Sequence, residues 1–353
     1  MSALAAVEAD QDARAQAAMH QTIGQAHWAV GEHVWALERF RHAASLAKEC
    51  GWRVGLAYQE HNIGLVHVAL GHLNEAPAHC RRALEMSQDN AFEHVRAVTL
   101  NNMGSLCHDR GLLREATEHF SAALKINTRD SRHRSAMVNL GMVLRQLGRY
   151  PEAHDHLKAA LAYYRRIRSH SAEIAILDEL SWLHTQSGMP SAAVEAAQRG
   201  LAMSRRLHNR RTEAALLCAL GAALLSSGAV AAAEQRFRQC LDLAYTCSYP
   251  YLEAQAHVGL ARTHLAAGRA DDAERDAKTA RDIARRRGYH HLHCEALLAH
   301  GSACLVAGRA GQAVADCTEA AELIERTGSP LLADQAAHIM ALARQPPAPT
   351  GVR

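Results

Sequence analysis

The chain has 353 residues, 48% of them hydrophobic but only 5% aromatic, with the apolar share carried mostly by Ala and Leu. That length exceeds one ordinary compact core and that composition suits helices packed through small side chains, so two domains or an elongated helical array is expected. A net charge of +3, from Lys+Arg 39 against Asp+Glu 36, is too balanced for wholesale attraction to nucleic acid or to an anionic membrane surface.

In chain order, the opening "MSALAAVEADQDARAQAAMH" has acidic residues where a signal peptide needs a basic start. No later run of about 20 apolar residues is present to span a bilayer. Nine cysteines without a CxxC pair speak against a disulfide framework, and the expected location is the cytoplasm, with no membrane contact.

From there a glycine recurs at Gly31, Gly71, Gly111, Gly148, Gly188, Gly228, Gly268 and Gly308, at spacings of 40, 40, 37, 40, 40, 40 and 40. Five residues after each stands an alanine, from Ala36 to Ala313. Seven before stands a small residue: Gly24, Gly64, Gly104, Gly141, Ser181, Gly221, Ala261 and Gly301. The place before that is apolar in seven repeats, with His300 the exception. The pattern predicts helical hairpins: small residues let two antiparallel helices approach, and the glycine ends the first helix in a left-handed C-cap. Asn74 is positioned to cap a second helix with Pro77 in its first turn, and Pro151 and Pro190 repeat the proline. The short spacing falls across "NTRDSRHR" (127–134), where a local change of pitch is expected. Residues 331–344 read as a capping helix, and "QPPAPTGVR" (345–353) as a disordered tail.

These features resemble the tetratricopeptide repeat (TPR), over essentially residues 17–327. Each repeat departs from the 34-residue form by about six residues, which predicts a longer second helix, and lacks the closing proline. The resemblance implies an all-α, right-handed α-solenoid of about eight TPR-like helical hairpins over residues 1–344, with a concave groove that takes peptides. The ending "ELIERTGSPLLADQAAHIMALAR" and the "GLAYQEHNIGLVHVALG" style are similar to the C-terminal TPR region of actinobacterial SARP-type antibiotic-regulatory activators. That likeness implies a sensor or regulatory module of a transcriptional regulator. The DNA-binding and nucleotide-binding domains of those activators are not in this sequence, so direct sequence-specific DNA binding by this chain is not expected.

With the register set, His61, His67, His72, His79 and Cys80 of "HNIGLVHVALGHLNEAPAHCRRAL" separate. His61 and His67 are six apart and face different sides of one helix, whereas a metal pair needs three or four; Cys80 takes a large apolar position filled elsewhere by Phe40, Phe120 and Phe237. His290, His291, His293 and Cys294, and the pair His154 and His156, show no ordered ligand spacing. There is no GxxxxGK[ST], HExxH or GxSxG. The expectation is a chain that is not an enzyme, with no catalytic residue, cofactor or metal.

A ladder of amides nine or ten places before the glycine marks the groove: Asn62, Asn102 and Asn139, with His61 and Asn101 beside them. An amide both donates and accepts, so a row of them can hold a partner's backbone whatever its sequence; an asparagine common at that place for structural reasons is the alternative. Trp28, Tyr58, His108, Arg145 and Trp182 complete the lining. Arginines at the ends of second helices, such as Arg165, Arg205 and Arg285, suit the helix dipole, with a phosphate-binding edge as the other reading. Three functions stay open: a protein or peptide scaffold in a regulator, a stand-alone receptor for a small ligand or signalling peptide, and a biosynthetic-cluster enzyme built on the scaffold.

Overall fold

The computed structural model describes residues 12–29, 32–70, 75–87, 92–126 and 135–344. Gly31, Gly71, His72, Asn74, the connector 127–134 and the tail 345–353 lie outside the described residues. In chain order the helices are α1 (Ala13–Ala29), α2 (His33–Glu49), α3 (Arg53–Ala69), α4 (Ala76–Met86), α5 (Glu93–Asp109), α6 (Leu113–Lys125), α7 (Ser135–Gln146), α8 (Tyr150–Arg166), α9 (His170–Gln186), α10 (Pro190–Arg206), α11 (Arg210–Ser226), α12 (Val230–Cys247), α13 (Pro250–Ala266), α14 (Ala270–Arg287), α15 (His290–Val306), α16 (Ala310–Thr327) and α17 (Pro330–Ala343). No strand occurs among the described residues. No helix of the described residues is long and apolar enough to cross a membrane. The chain forms two compact units: Met1–His108 with Glu115–Asn139, and Asp109–Arg114 with Leu140–Arg353.

The hairpins follow the 40-residue register. Gly111, Gly148, Gly188, Gly228, Gly268 and Gly308 all have positive φ, between 73° and 82°. At Gly148 the chain closes as a Schellman turn: Gly148 N–H donates to the Arg145 carbonyl at 3.0 Å and Arg149 N–H to that of Leu144 at 2.9 Å. Twenty residues on, second helices end the same way, at Gly51, Arg168, His208, Ser248, Gly288 and Gly328. The extra length is shared by both helices, not confined to the second as expected. α9 and α10 are each 17 residues, because each carries its own turn and cap. Pro77, Pro151 and Pro190 all sit in a first turn; the residue capping α4 is Glu75, with no side-chain cap bond.

Within hairpins, small meets large. A Cβ on Gly104 would lie 2.6 Å from the Phe120 ring, on Gly221 2.9 Å from Phe237, and on Gly141 2.7 Å from Leu157. Where a side chain replaces that glycine, at Ser181 and Ala261, the facing position is Ala197 or Ala277. Both patterns pair the two facing positions so that their combined side-chain volume stays compatible with close packing. In the second unit first helices also pack on the first helix of the next hairpin, α9 on α11, α11 on α13 and α13 on α15. Closer packing along that edge puts the first helices on the inner side of this unit's curve. α17 covers α15 and α16, burying Leu332, Ala336 and Ile339 against Leu298 and Ile324.

Candidate functional site

In the first unit the predicted amides pair with one another from hairpin to hairpin. Asn139 Nδ2 donates to Asn101 Oδ1 at 3.1 Å, and Asn102 Nδ2 to His61 Nε2 at 3.2 Å. The His61 proton then belongs on Nδ1, which meets Thr99 Oγ1 at 3.1 Å. Gln59 Nε2 continues the series to Gln21 Oε1 at 2.7 Å. Asn62 differs: its amide nitrogen is buried without a hydrogen-bond partner. Trp28 packs beside His33, and Tyr58 beside His94, with ring centroids 4.9 and 5.7 Å apart. His108 is half-buried near the end of α5. His67 stacks on His79, whose Nδ1 meets Glu60 at 2.8 Å, and Cys80 lies under Gly64.

Arg145 and Trp182, the other two predicted lining residues, belong to the second unit. There the inner side holds a cavity of about 250 Å³. Every first helix of the unit contributes: Gln146 from α7, Trp182 and Gln186 from α9, Ala222 and Leu225 from α11, Gln255 and Arg262 from α13, and His291 and Glu295 from α15. Leu331, Leu332 and Gln335 of α17 close one side. Ser329, which starts α17, is buried and donates through Oγ to the Gln146 carbonyl at 3.3 Å, joining residues 183 positions apart. The sequence reading reached Trp182 but not its equivalents. Trp182, Ala222 and Arg262 all stand six before their glycines, and Gln255 and Glu295 thirteen before theirs. The register itself was the signal.

The surroundings of this cavity are ionic and partly withdrawn from water. Arg145 is 7% exposed; its Nε donates to Glu179 at 3.2 Å and its Nη1 to Gln186 at 3.0 Å. Arg262 reaches Glu295 at 3.4 Å. Burial alone would raise the Glu295 carboxyl, but Arg262, His291 and Arg145 outweigh it and hold the group below its ordinary value. Asp178 goes the other way. Burial, with the charge of Glu179 behind it, pushes its carboxyl up to about 7, while Arg145 and a hydrogen bond from the Trp182 indole oppose the rise. Its Oδ1 is buried and unpartnered. Burial likewise pushes the Cys218 thiol well above the usual range. Such a wall can grip a polar or charged group, because hydrogen bonds and ion pairs strengthen where water is scarce.

Residues 132–206 match the tetratricopeptide repeat family. No curated protein matches the chain. Among solved structures, a Rap protein complexed with competence and sporulation factor is similar at 13% identity and TM-score 0.64, over 93% of this chain and 99% of that one. NprR in complex with its cognate peptide NprX is similar at 11% identity and TM-score 0.63, over 89% and 98%. A signal transduction ATPase with numerous domains from Pyrococcus horikoshii, with a tetratricopeptide repeat sensor, gives 15% identity and TM-score 0.53 over 89% of this chain; the chain spans half of that protein's length. At these identities the likeness is one of fold: an all-α solenoid of TPR-like hairpins.

Proposed function

We propose that the chain is a non-catalytic interaction scaffold whose second unit seats a peptide end or side chain in its inner cavity, as the sensor or regulatory module of a bacterial transcriptional regulator. The observation that carries this is the cavity itself, walled by first helices from five hairpins and closed by α17. Its volume lies just below the roughly 300–1,000 Å³ of drug-sized pockets, so it suits one or two side chains rather than a whole extended segment. The same size favours a small ligand as the second reading. One similar solved structure, NprR, is described in complex with its cognate peptide, and another, a Rap protein, in complex with competence and sporulation factor, which supports the first. The regulator context rests on the resemblance to SARP-type activators.

Binding is favoured over catalysis on chemical grounds. Arg262, His291 and Arg145 hold the Glu295 carboxyl below its ordinary value, Cys218 is held as a thiol, and Asp178, whose carboxyl is pushed up to about 7, does not line the cavity. The amide ladder is the weaker seat, because Asn101, Asn102 and Asn139 already spend bonding capacity on their neighbours. The test is thermal melting of the purified chain with a macromolecule-free peptide fraction from its host. A rise in Tm that Trp182→Ala and Glu295→Gln abolish and Asn102→Ala preserves is expected. Loss with Asn102→Ala alone would move the seat to the first unit, and no rise at all rejects the receptor reading.

A further inference from the structure

Outside the cavity, two helices of the second unit bring an imidazole, a thiol and a carboxylate together. His300 and Cys304 stand four apart on α15, on one face of the helix, and Glu274 faces them from α14. Their ligand atoms all lie within 4.8 Å of one another. His300 Nε2 is 3.9 Å from Glu274 Oε1, and Cys304 Sγ is 3.8 and 4.0 Å from the two ring nitrogens of His300. We propose that Glu274, His300 and Cys304 form a divalent-metal site of zinc type.

Packing does not call for this histidine. The same register place is Ile23, Ile63, Met103, Leu140, Leu180, Leu220 and Leu260 in the other hairpins. In His300 a 5% exposed polar residue replaces a core apolar one, which is costly unless the ring is given partners. Those partners are arranged as around a metal-bound imidazole. Asp316 Oδ2, from α16, meets Nδ1 at 2.6 Å, and Gln312 Nε2 fixes the other Asp316 oxygen at 3.0 Å. Asp316 is itself 2% exposed. This carboxylate–histidine pairing places the ring proton on Nδ1 and leaves the Nε2 lone pair on the side of Glu274, open to a metal ion. Glu274 is oriented in turn: Arg309 bonds Oε2 and leaves Oε1 on the side of His300.

Tetrahedral zinc with bonds of about 2.0–2.3 Å places neighbouring ligand atoms roughly 3.3–3.7 Å apart, so closing on the ion takes only small side-chain movements. Thiolate with imidazole selects zinc over magnesium or calcium, and three protein ligands leave one position for water. Arg309 is the competing cation, since it also hydrogen-bonds the Cys304 thiol. Its side chain is 47% exposed and can swing into solvent while a dication takes its place. The bound ion would tie α14 to the following hairpin.

The test is titration of the metal-free full chain with Co²⁺, read by the thiolate-to-cobalt absorption band, followed by displacement with Zn²⁺. One equivalent saturating the band is expected. Cys304→Ser should abolish the band and His300→Gln should weaken binding at least tenfold, while Cys317→Ser, on the neighbouring helix, keeps both; circular dichroism verifies the fold of each variant. Asp316→Asn should cost roughly 10–100-fold in affinity. Arg309→Gln, a surface change that the fold tolerates, should tighten binding. A band that survives in Cys304→Ser, no saturable band in the parent chain, or no gain with Arg309→Gln would overturn the site.

Discussion

At the scale of single residues one of the most demanding contacts is around Phe237, whose ring is clasped by two glycines from neighbouring hairpins. A Cβ on Gly259 would lie 2.2 Å from Phe237 Cε1, and one on Gly221 2.9 Å away. Gly259→Ala should therefore lower stability by roughly 1–3 kcal/mol through overpacking, measured as a shift in urea midpoint at constant m-value. The opposite sign is expected at His208, a non-glycine residue held at φ 51°. His208→Gly relieves about 1–2 kcal/mol of left-handed strain against about 0.5–1 kcal/mol of added chain entropy, so a gain of roughly 0.5–1 kcal/mol should appear in the same assay. Asp178 supplies a pH test. Its carboxyl stands at about 7 in the folded chain against an ordinary 3.8, so between these values the folded state holds more protons than the unfolded one. Raising pH through that window costs stability, and the loss is complete above about 7. Asp178→Asn should be more stable than the parent at pH 8, with the advantage shrinking toward pH 4.

Elements repeat these local solutions, and the repetition made them readable. The six register glycines among the described residues end first helices as predicted, since a left-handed cap favours glycine wherever it recurs. The second caps, at Arg168, His208 and Ser248, were not legible, because the residue there is not glycine and nothing in composition marks the turn. The clasp between hairpins also repeats: Arg269 bonds Glu234 and Arg309 bonds Glu274, each 35 residues back. α17 was expected as a cap over 331–344 and is found at Pro330–Ala343. Its second role, closing the cavity onto Gln146, was not legible, because a period predicts neighbours and not a contact 183 residues away. Removing the chain from Pro330 onward should uncover the cavity. With Trp28, Trp35 and Trp52 replaced by Phe, emission from Trp182 should shift to the red and acrylamide quenching should rise; unchanged quenching would mean that α17 does not shield the site.

For the whole molecule, a weak motif became strong because eight copies recur at 40 residues with one exception of 37, and each hairpin's contacts fall mainly on its neighbours. The site had no such averaging. Trp182, Ala222 and Arg262 occupy one register place with three different chemistries, so the cavity wall follows the period in position but not in residue type. His300 shows the same lesson, as an exception to an apolar column. Nearest-neighbour stabilisation has a thermodynamic consequence in a chain with two compact units. Trp28, Trp35 and Trp52 fall in the first unit and Trp182 in the second, so the tryptophans report each separately. A chain with Trp182→Phe follows the first unit, and one with the other three replaced follows the second. Adding Gly259→Ala should lower the urea midpoint seen by Trp182 and leave the midpoint seen by the first-unit tryptophans where it was. If both move together by the same amount, the chain unfolds as one cooperative block, and the stability of the cavity is set by all eight hairpins rather than by those that wall it.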